Sequence, residues 1–270
     1  MKNKDNYKSL FNMYSSKVNI YDNQIKLDVN RTFNDLHFYK NKINKHKLFI
    51  VLRVLACDNK EIGYTQGLNY IAGYFLMKYK GDKIKTFKIM TILLKNDKYG
   101  LYDLYRDGFP KLFLAKYQII QLIKKYLPNL YNYFLQIKLD TLLWLSSWLL
   151  TLFSNNLEHL DIKQMDVFYN LYLQQGWLVI IKFTIFLLQQ NEKHLLSLDS
   201  YEILIYLNNR IWKNVNLNNI ENKINDMNIT NKKLYYLEID YIKKINKNNK
   251  RIKLFNKITS KQYIKLFSLI

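Results

Sequence analysis

A chain of 270 residues, 49% apolar and 16% aromatic, is long enough for one large core or two packed lobes. Two prolines and seven glycines are too few for the turns of an all-β sandwich or barrel, so helices are the expected element. The formal charge of +21 favours an anionic partner, yet the 42 basic residues are spread through Asn- and Ile-rich text instead of forming a stripe, which argues against nucleic acid.

Cys57 is the single cysteine and has no intrachain partner, and the opening MKNKDNYKSL holds no apolar run of the secretory kind, so a reduced, cytoplasmic setting is expected. The longest apolar stretches, 141–153 and 176–188, are shorter than the ~18–20 residues needed to span a bilayer and read as buried helices. Lys182 interrupts the second.

In chain order, residues 1–20 form a polar lead-in with only Leu10, Phe11 and Tyr14 as a helical face, and no function is assigned to it. IKLDVNR follows at 25–31. Leu48, Val51, Leu52 and Leu55 then recur at helical spacing in a helix expected to stop near Asp58. Gly63, Gly67 and Gly73 fall in EIGYTQGLNYIAGYFLMKY, so Tyr64, Thr65 and Gln66 are expected in a loop that leads into a helix from Leu68. Gly73, in mid-helix, reads as a packing position.

Further helical periods run over 84–95, over 111–127 ahead of Pro128, over 141–153, over 164–174 and over 177–190. In the third, Leu142, Leu145, Trp148, Leu149, Leu152 and Phe153 share one face, and Trp148 and Phe153 read as core. The region 200–244 reads as shorter helices broken at Asn208-Asn209 and Asn218-Asn219. A strongly basic segment begins at Lys243 and offers peripheral contact with an anionic membrane.

The common catalytic signatures are absent: no GxxxxGK[ST] phosphate loop, HExxH, CxxC, GxSxG or Gly-rich dinucleotide turn occurs. The chain does not read as a nucleotide hydrolase. His37, His46, His159 and His194 stand among Lys and Asn without a carboxylate cluster and read as surface histidines.

IKLDVNR at 25–31 and GYTQGLN at 63–69 resemble the IxxDxxR and YxQGxN motifs of the TBC-domain family of Rab GTPase-activating proteins, in the same order and with a helix between them. SSWLLTLFS at 146–154, FYNLYLQQGW at 168–177 and ITNKKLYYLEIDY at 229–241 are similar to later segments of that family. Asn34, Leu68 and Asn170 depart from its usual residues. Asn170 stands where the family commonly has an aspartate, a charge expected to help fix the interface between lobes.

The resemblance covers about 21–242 and implies an all-α, two-lobed domain, with an N-lobe over about 21–118, a C-lobe over about 119–242 and a basic helix or tail over 243–270. It implies a GTPase activator that supplies Arg31 and Gln66 in trans to a GTP-bound Rab-type small GTPase, the GTP and Mg2+ being carried by that partner, and so no cofactor of its own. It also implies a place in vesicle traffic, in the cytoplasm or at endomembrane surfaces. The alternative on the same fold is a scaffold that binds a GTPase or membrane without stimulating hydrolysis.

The chemistry needs those residue types. Hydrolysis spreads negative charge over the transferring phosphoryl group while a water is held in line for attack. An arginine brings a permanent charge and a planar fork of donors, and a glutamine amide both accepts from the water and donates to a phosphoryl oxygen. Asp28, three residues before Arg31, is expected on the same helical face, where it would hold the arginine segment. Tyr64 and Asn69 are expected to shape the glutamine loop, and Gly67 to permit a turn or the close approach of the GTPase backbone.

Overall fold

The computed structural model describes residues 4–156, 162–214 and 219–247, and among them every regular element is a helix. The chain forms two compact units, 1–228 and 229–270. The larger begins with α1 (Lys4–Ser15), α2 (Asp22–Arg31), a single turn α3 (His37–Lys40), the long α4 (Lys42–Asp58), α5 (Leu68–Lys78) and α6 (Lys83–Lys95). It continues with α7 (Leu101–Tyr105), α8 (Pro110–Tyr126), α9 (Pro128–Gln136), α10 (Leu142–Leu150), α11 (Ile162–Gln175), α12 (Trp177–Leu195), α13 (Ser200–Ile205) and α14 (Ile220–Asp226).

Local chemistry sets these boundaries. The Asn41 and Asp82 side chains accept from the first turns of α4 and α6, and Asp199 with Glu202 closes a reciprocal capping box on α13. Both prolines stand at the first helical position, Pro110 of α8 and Pro128 of α9, where the missing N–H costs nothing. Pro128 therefore starts a helix as well as following one. The expected lobe boundary at 118/119 falls inside α8, which runs unbroken across it.

From Lys4 onward the lead-in is a folded part of the larger unit. Phe11 of α1 is buried and packs edge-on against Phe87 of α6, with ring centroids 5.7 Å apart. Deeper in, Trp148, Phe153, Phe168, Phe183 and Trp212 form one aromatic cluster. Phe153 lies at its centre, with centroids 5.9, 5.3, 4.9 and 5.6 Å from the other four. Such pairs contribute about 0.5–1.5 kcal/mol each beyond area burial. Trp148 and Phe153 are thus core, as their spacing indicated.

The expected helix over 141–153 is shorter than its apolar period. It ends at Leu150 in a Schellman turn: Leu152 N–H donates to Leu149 O at 3.1 Å and Phe153 N–H to Trp148 O at 2.9 Å. Leu152 and Phe153 take φ of 45° and 62°, a conformation that normally selects glycine. Burial of both side chains in the core is what holds them there. The expected break at Asn208-Asn209 is also absent. Helical backbone continues from α13 through a π-helical segment, Tyr206–Arg210, where Asn208 Nδ2 donates to Leu204 O at 2.9 Å and Leu207 O accepts from Trp148 Nε1 at 3.0 Å. Asn219, with φ of 55°, does break the chain ahead of α14, and Asn218 lies outside the described residues.

Lys182 sits in buried α12 and donates its ammonium to Ile224 O at 2.8 Å, near the C-terminal end of α14 where a cation is favoured. Among the described residues no helix is long and apolar enough to cross a membrane. In the smaller unit, residues 231–247 form a helix led by Thr230, whose hydroxyl accepts from Lys233 N–H. Residues 243–247 of the basic segment belong to it, and the rest lie outside the described residues.

Candidate functional site

Arg31 is the last residue of α2, and its side chain is 53% exposed. Asp28, one turn back, is buried, and its Oδ1 lies 2.6 Å from Arg31 Nη2. The i,i+3 spacing brings the two together, as the sequence indicated. A cation in the last turn of α2 also complements the helix dipole.

A buried carboxylate needs more than one donor. The second is Tyr64, whose hydroxyl donates to Asp28 Oδ2 at 2.7 Å. Burial, and then the adjacent carboxylate, push the Tyr64 hydroxyl far above the usual phenol range, so it stays a donor. Asp28 thus grips the arginine with one oxygen and the loop before α5 with the other.

A second stitch runs in parallel. Thr32, the C-cap of α2, donates its hydroxyl to Asp28 O at 2.6 Å and accepts from Asn69 Nδ2 at 2.8 Å, while Asn69 Oδ1 accepts from Gly67 N–H at 2.9 Å. Thr32 and Asn69 are fully buried and mutually satisfied, which fixes a single geometry for the loop. Sequence reasoning singled out Asn69 and missed Thr32. Its one signal was its place directly after the arginine.

Gln66 stands at the corner of a turn from Thr65 to Leu68, closed by Leu68 N–H to Thr65 O at 3.2 Å, and is exposed. Gly67 follows with φ of 112°, which the third position of such a turn favours in glycine. A Cβ on Gly67 would stand 2.3 Å from Leu150 O. A close approach at Gly67 is thus made by this chain's own α10. That carbonyl lies in the last turn of α10, where helical partners run out, and it accepts from the buried Tyr105 hydroxyl. Tyr105 is a further supporting residue that sequence reasoning missed.

Gly73 is a packing position, as expected: a Cβ there would stand 3.0 Å from the Phe33 ring and 3.3 Å from the Thr32 methyl, and Tyr39 donates to its carbonyl at 2.7 Å. Asn170 is exposed on α11. The charge between α5 and α11 is supplied by Asp166, which accepts from Tyr74 and pairs with Lys78 at 2.7 Å. Among the described residues no group of three His, Cys, Asp or Glu is placed to hold a metal, and His159 lies outside them.

The geometry displays one cation and one amide on adjoining exposed segments over a buried polar network. That arrangement suits action on a phosphate held by another molecule.

A model of the Rab-GTPase-TBC domain family matches residues 1–196. The Rab GTPase-activating protein eat-17 of Caenorhabditis elegans is 30% identical over 240 residues, covering 87% of this chain and 26% of that protein. GTPase-activating protein GYP5 of Saccharomyces cerevisiae is 28% identical over 165 residues, 61% of this chain and 18% of that one. The chain thus spans about a quarter or less of the length of these curated relatives. Among solved structures, the Ypt/Rab-GAP domain of Gyp1p superposes with a TM-score of 0.69 at 19% identity, covering 88% of this chain and 80% of that one. The Chlamydomonas flagellar RabGAP TBC domain gives 0.66 at 20% identity, covering 78% and 68%. At these identities the likeness establishes the fold.

Proposed function

This chain belongs to the Rab-GTPase-TBC domain family, and from that premise we propose that it accelerates GTP hydrolysis on a Rab-type small GTPase by lending Arg31 and Gln66 to the nucleotide site of its GTP-bound partner. The observation that carries the reading is the divided grip of Asp28, which holds Arg31 on one oxygen and the Gln66 loop, through Tyr64, on the other. Two segments far apart in sequence are thereby aimed as a unit.

Asp28 engages one guanidinium nitrogen, and the exposed remainder of the Arg31 fork is available to the charge that develops on the phosphoryl oxygens. Gln66, at an exposed turn corner, orients the attacking water. Because the Arg31 side chain and the backbone of the Gln66 loop are held before the partner arrives, the ordering cost that falls on the transition state is reduced. An arginine supplied in trans is worth about 10³–10⁵ in rate, or ~4–7 kcal/mol of barrier. The GTP and Mg2+ are the partner's, and this chain contributes no cofactor.

The test is single-turnover GTP hydrolysis across a panel of purified Rabs, with the parent chain, Arg31→Ala and Gln66→Ala. At least one Rab is expected to respond, and each variant to lose orders of magnitude of that response while keeping its helical circular dichroism. Equal activity of both variants and parent on a responsive Rab would refute the mechanism. Binding to GTP-loaded Rabs without acceleration anywhere in the panel would identify a scaffold.

A further inference from the structure

Helices α2, α3 and α4 enclose an open cavity of about 730 Å³ whose lining includes Lys26, Lys40, Lys42 and Lys45. Among the described residues that line it none is acidic. None of the four lysines makes an ion pair there either, although Lys78, Lys85, Lys95 and Lys116 elsewhere in the same unit do. The Lys45 ammonium donates instead to neutral acceptors, Asn34 Oδ1 at 2.6 Å and Asn30 O at 3.3 Å, which position its charge without cancelling it.

The contrast with two smaller cavities shows that this is not a general effect of a basic chain. One, of about 230 Å³, contains Lys116 paired with Asp140 at 2.9 Å. Another, of about 400 Å³, contains Lys95 paired with Asp58 at 2.6 Å. Each carries its own counter-charge. The large cavity gathers like charges over an apolar floor of Tyr39 and Phe49, and a low-dielectric concavity focuses their field.

Four lysines lining one cavity call for a ligand of matching charge density. A phosphate monoester carries about −1.5 to −2 at neutral pH, so two or three on one small scaffold balance the lysines, whereas a peptide would have to crowd four carboxylates into the same space. Lysine binds phosphate as a point charge without demanding a planar geometry, and the cavity lining contains no arginine. The Asn30 and Asn34 amides suit hydroxyl groups. A volume of this size falls in the range of small-ligand sites.

We propose that this cavity binds a compact polyphosphorylated polyol of the inositol phosphate class, either free or as the headgroup of a membrane lipid. The lining shares helix α2 with Arg31 but includes neither Arg31 nor Gln66, and its test reads binding alone.

Calorimetry with inositol trisphosphate on the full chain addresses the soluble form. Flotation with phosphatidylcholine vesicles containing phosphatidylinositol bisphosphate, against phosphatidylserine vesicles of equal charge, addresses the lipid. The triple variant Lys26→Gln, Lys42→Gln, Lys45→Gln is compared with Lys124→Gln, Lys163→Gln, Lys193→Gln, which removes the same charge from exposed positions outside the cavity. The cavity variant is expected to bind about 10- to 100-fold more weakly and the control to match the parent. Preference for the bisphosphate vesicles identifies the lipid as source, and binding of the free trisphosphate alone identifies the soluble compound; both sustain the site. No binding of either probe, or equal losses in the two triple variants, overturns it.

Discussion

Tyr64 donates its hydroxyl to Asp28 Oδ2 at 2.7 Å, and this bond ties the loop carrying Gln66 to the helix carrying Arg31. Tyr64→Phe keeps the ring but strands a buried carboxylate oxygen of Asp28, so stability is expected to fall by about 1–3 kcal/mol. Asp28→Ala strands the buried Tyr64 hydroxyl and releases Arg31, at a cost of about 1–3 kcal/mol. Urea unfolding measures both. GTPase stimulation is expected to fall further in Asp28→Ala than in Tyr64→Phe, and parent-level stimulation by Asp28→Ala would contradict the positioning role.

Gly67 answers two demands at once, a φ of 112° and contact with Leu150 O. Gly67→Ala is expected to destabilise the chain by about 2 kcal/mol or more, since the turn must strain and the carbonyl accepting from Tyr105 must move. Tyr105→Phe, which leaves the backbone in place, is expected to cost less. Equal stability of Gly67→Ala and parent in urea would contradict the packing.

Two Schellman ends without glycine make opposite predictions. Lys138 follows α9 with φ of 53° and an exposed side chain, and Leu139 N–H closes the turn onto Phe134 O at 2.9 Å. Lys138→Gly relieves the left-handed conformation at little other cost and is expected to add about 0.5–1 kcal/mol, a rise in Tm of roughly 1–3 °C. Leu152 after α10 has the same backbone but a fully buried side chain, so Leu152→Gly is expected to lose about 2–5 kcal/mol despite the relief. Calorimetric melting of the two variants separates the cases.

Alkaline unfolding is expected to be led by tyrosine. Burial raises the pKa of Tyr39, Tyr64, Tyr74, Tyr105, Tyr169 and Tyr172. The unfolded chain releases these protons near pH ~10 while the folded one keeps them, so their contribution is intact below that pH and is lost as pH rises through and beyond it. Lys182, its pKa lowered by burial, acts in the opposite direction as pH rises toward ~10.4, but is one group against six. Tyrosinate absorbance from the buried set is expected to grow in step with loss of helical circular dichroism. Complete titration near pH ~10 with helix intact would contradict the burial.

Most of the helical order was legible because apolar spacing, caps and prolines agree locally: α6, α8 and α12 begin within one residue of their apolar periods. The ends of α10 and α13 were not. Leu152 and Phe153 turn the chain without glycine because a distant aromatic core holds them, and Asn208 continues a helix that its composition would end. In the site, Arg31 and Gln66 were singled out by the resemblance of their motifs, and the contact between Asp28 and Arg31 was legible through their spacing on one helix. Thr32, Tyr105 and the partner of Gly67 were not, since each acts through contacts with residues remote in sequence.

The most direct measurement of the central claim uses a responsive Rab whose own catalytic glutamine has been replaced by alanine, followed in single-turnover GTP hydrolysis. If Gln66 orients the water in trans, the parent chain still accelerates this Rab and Gln66→Ala does not. Loss of acceleration by the parent chain on the altered Rab, together with full activity of Gln66→Ala on the unaltered one, would contradict it.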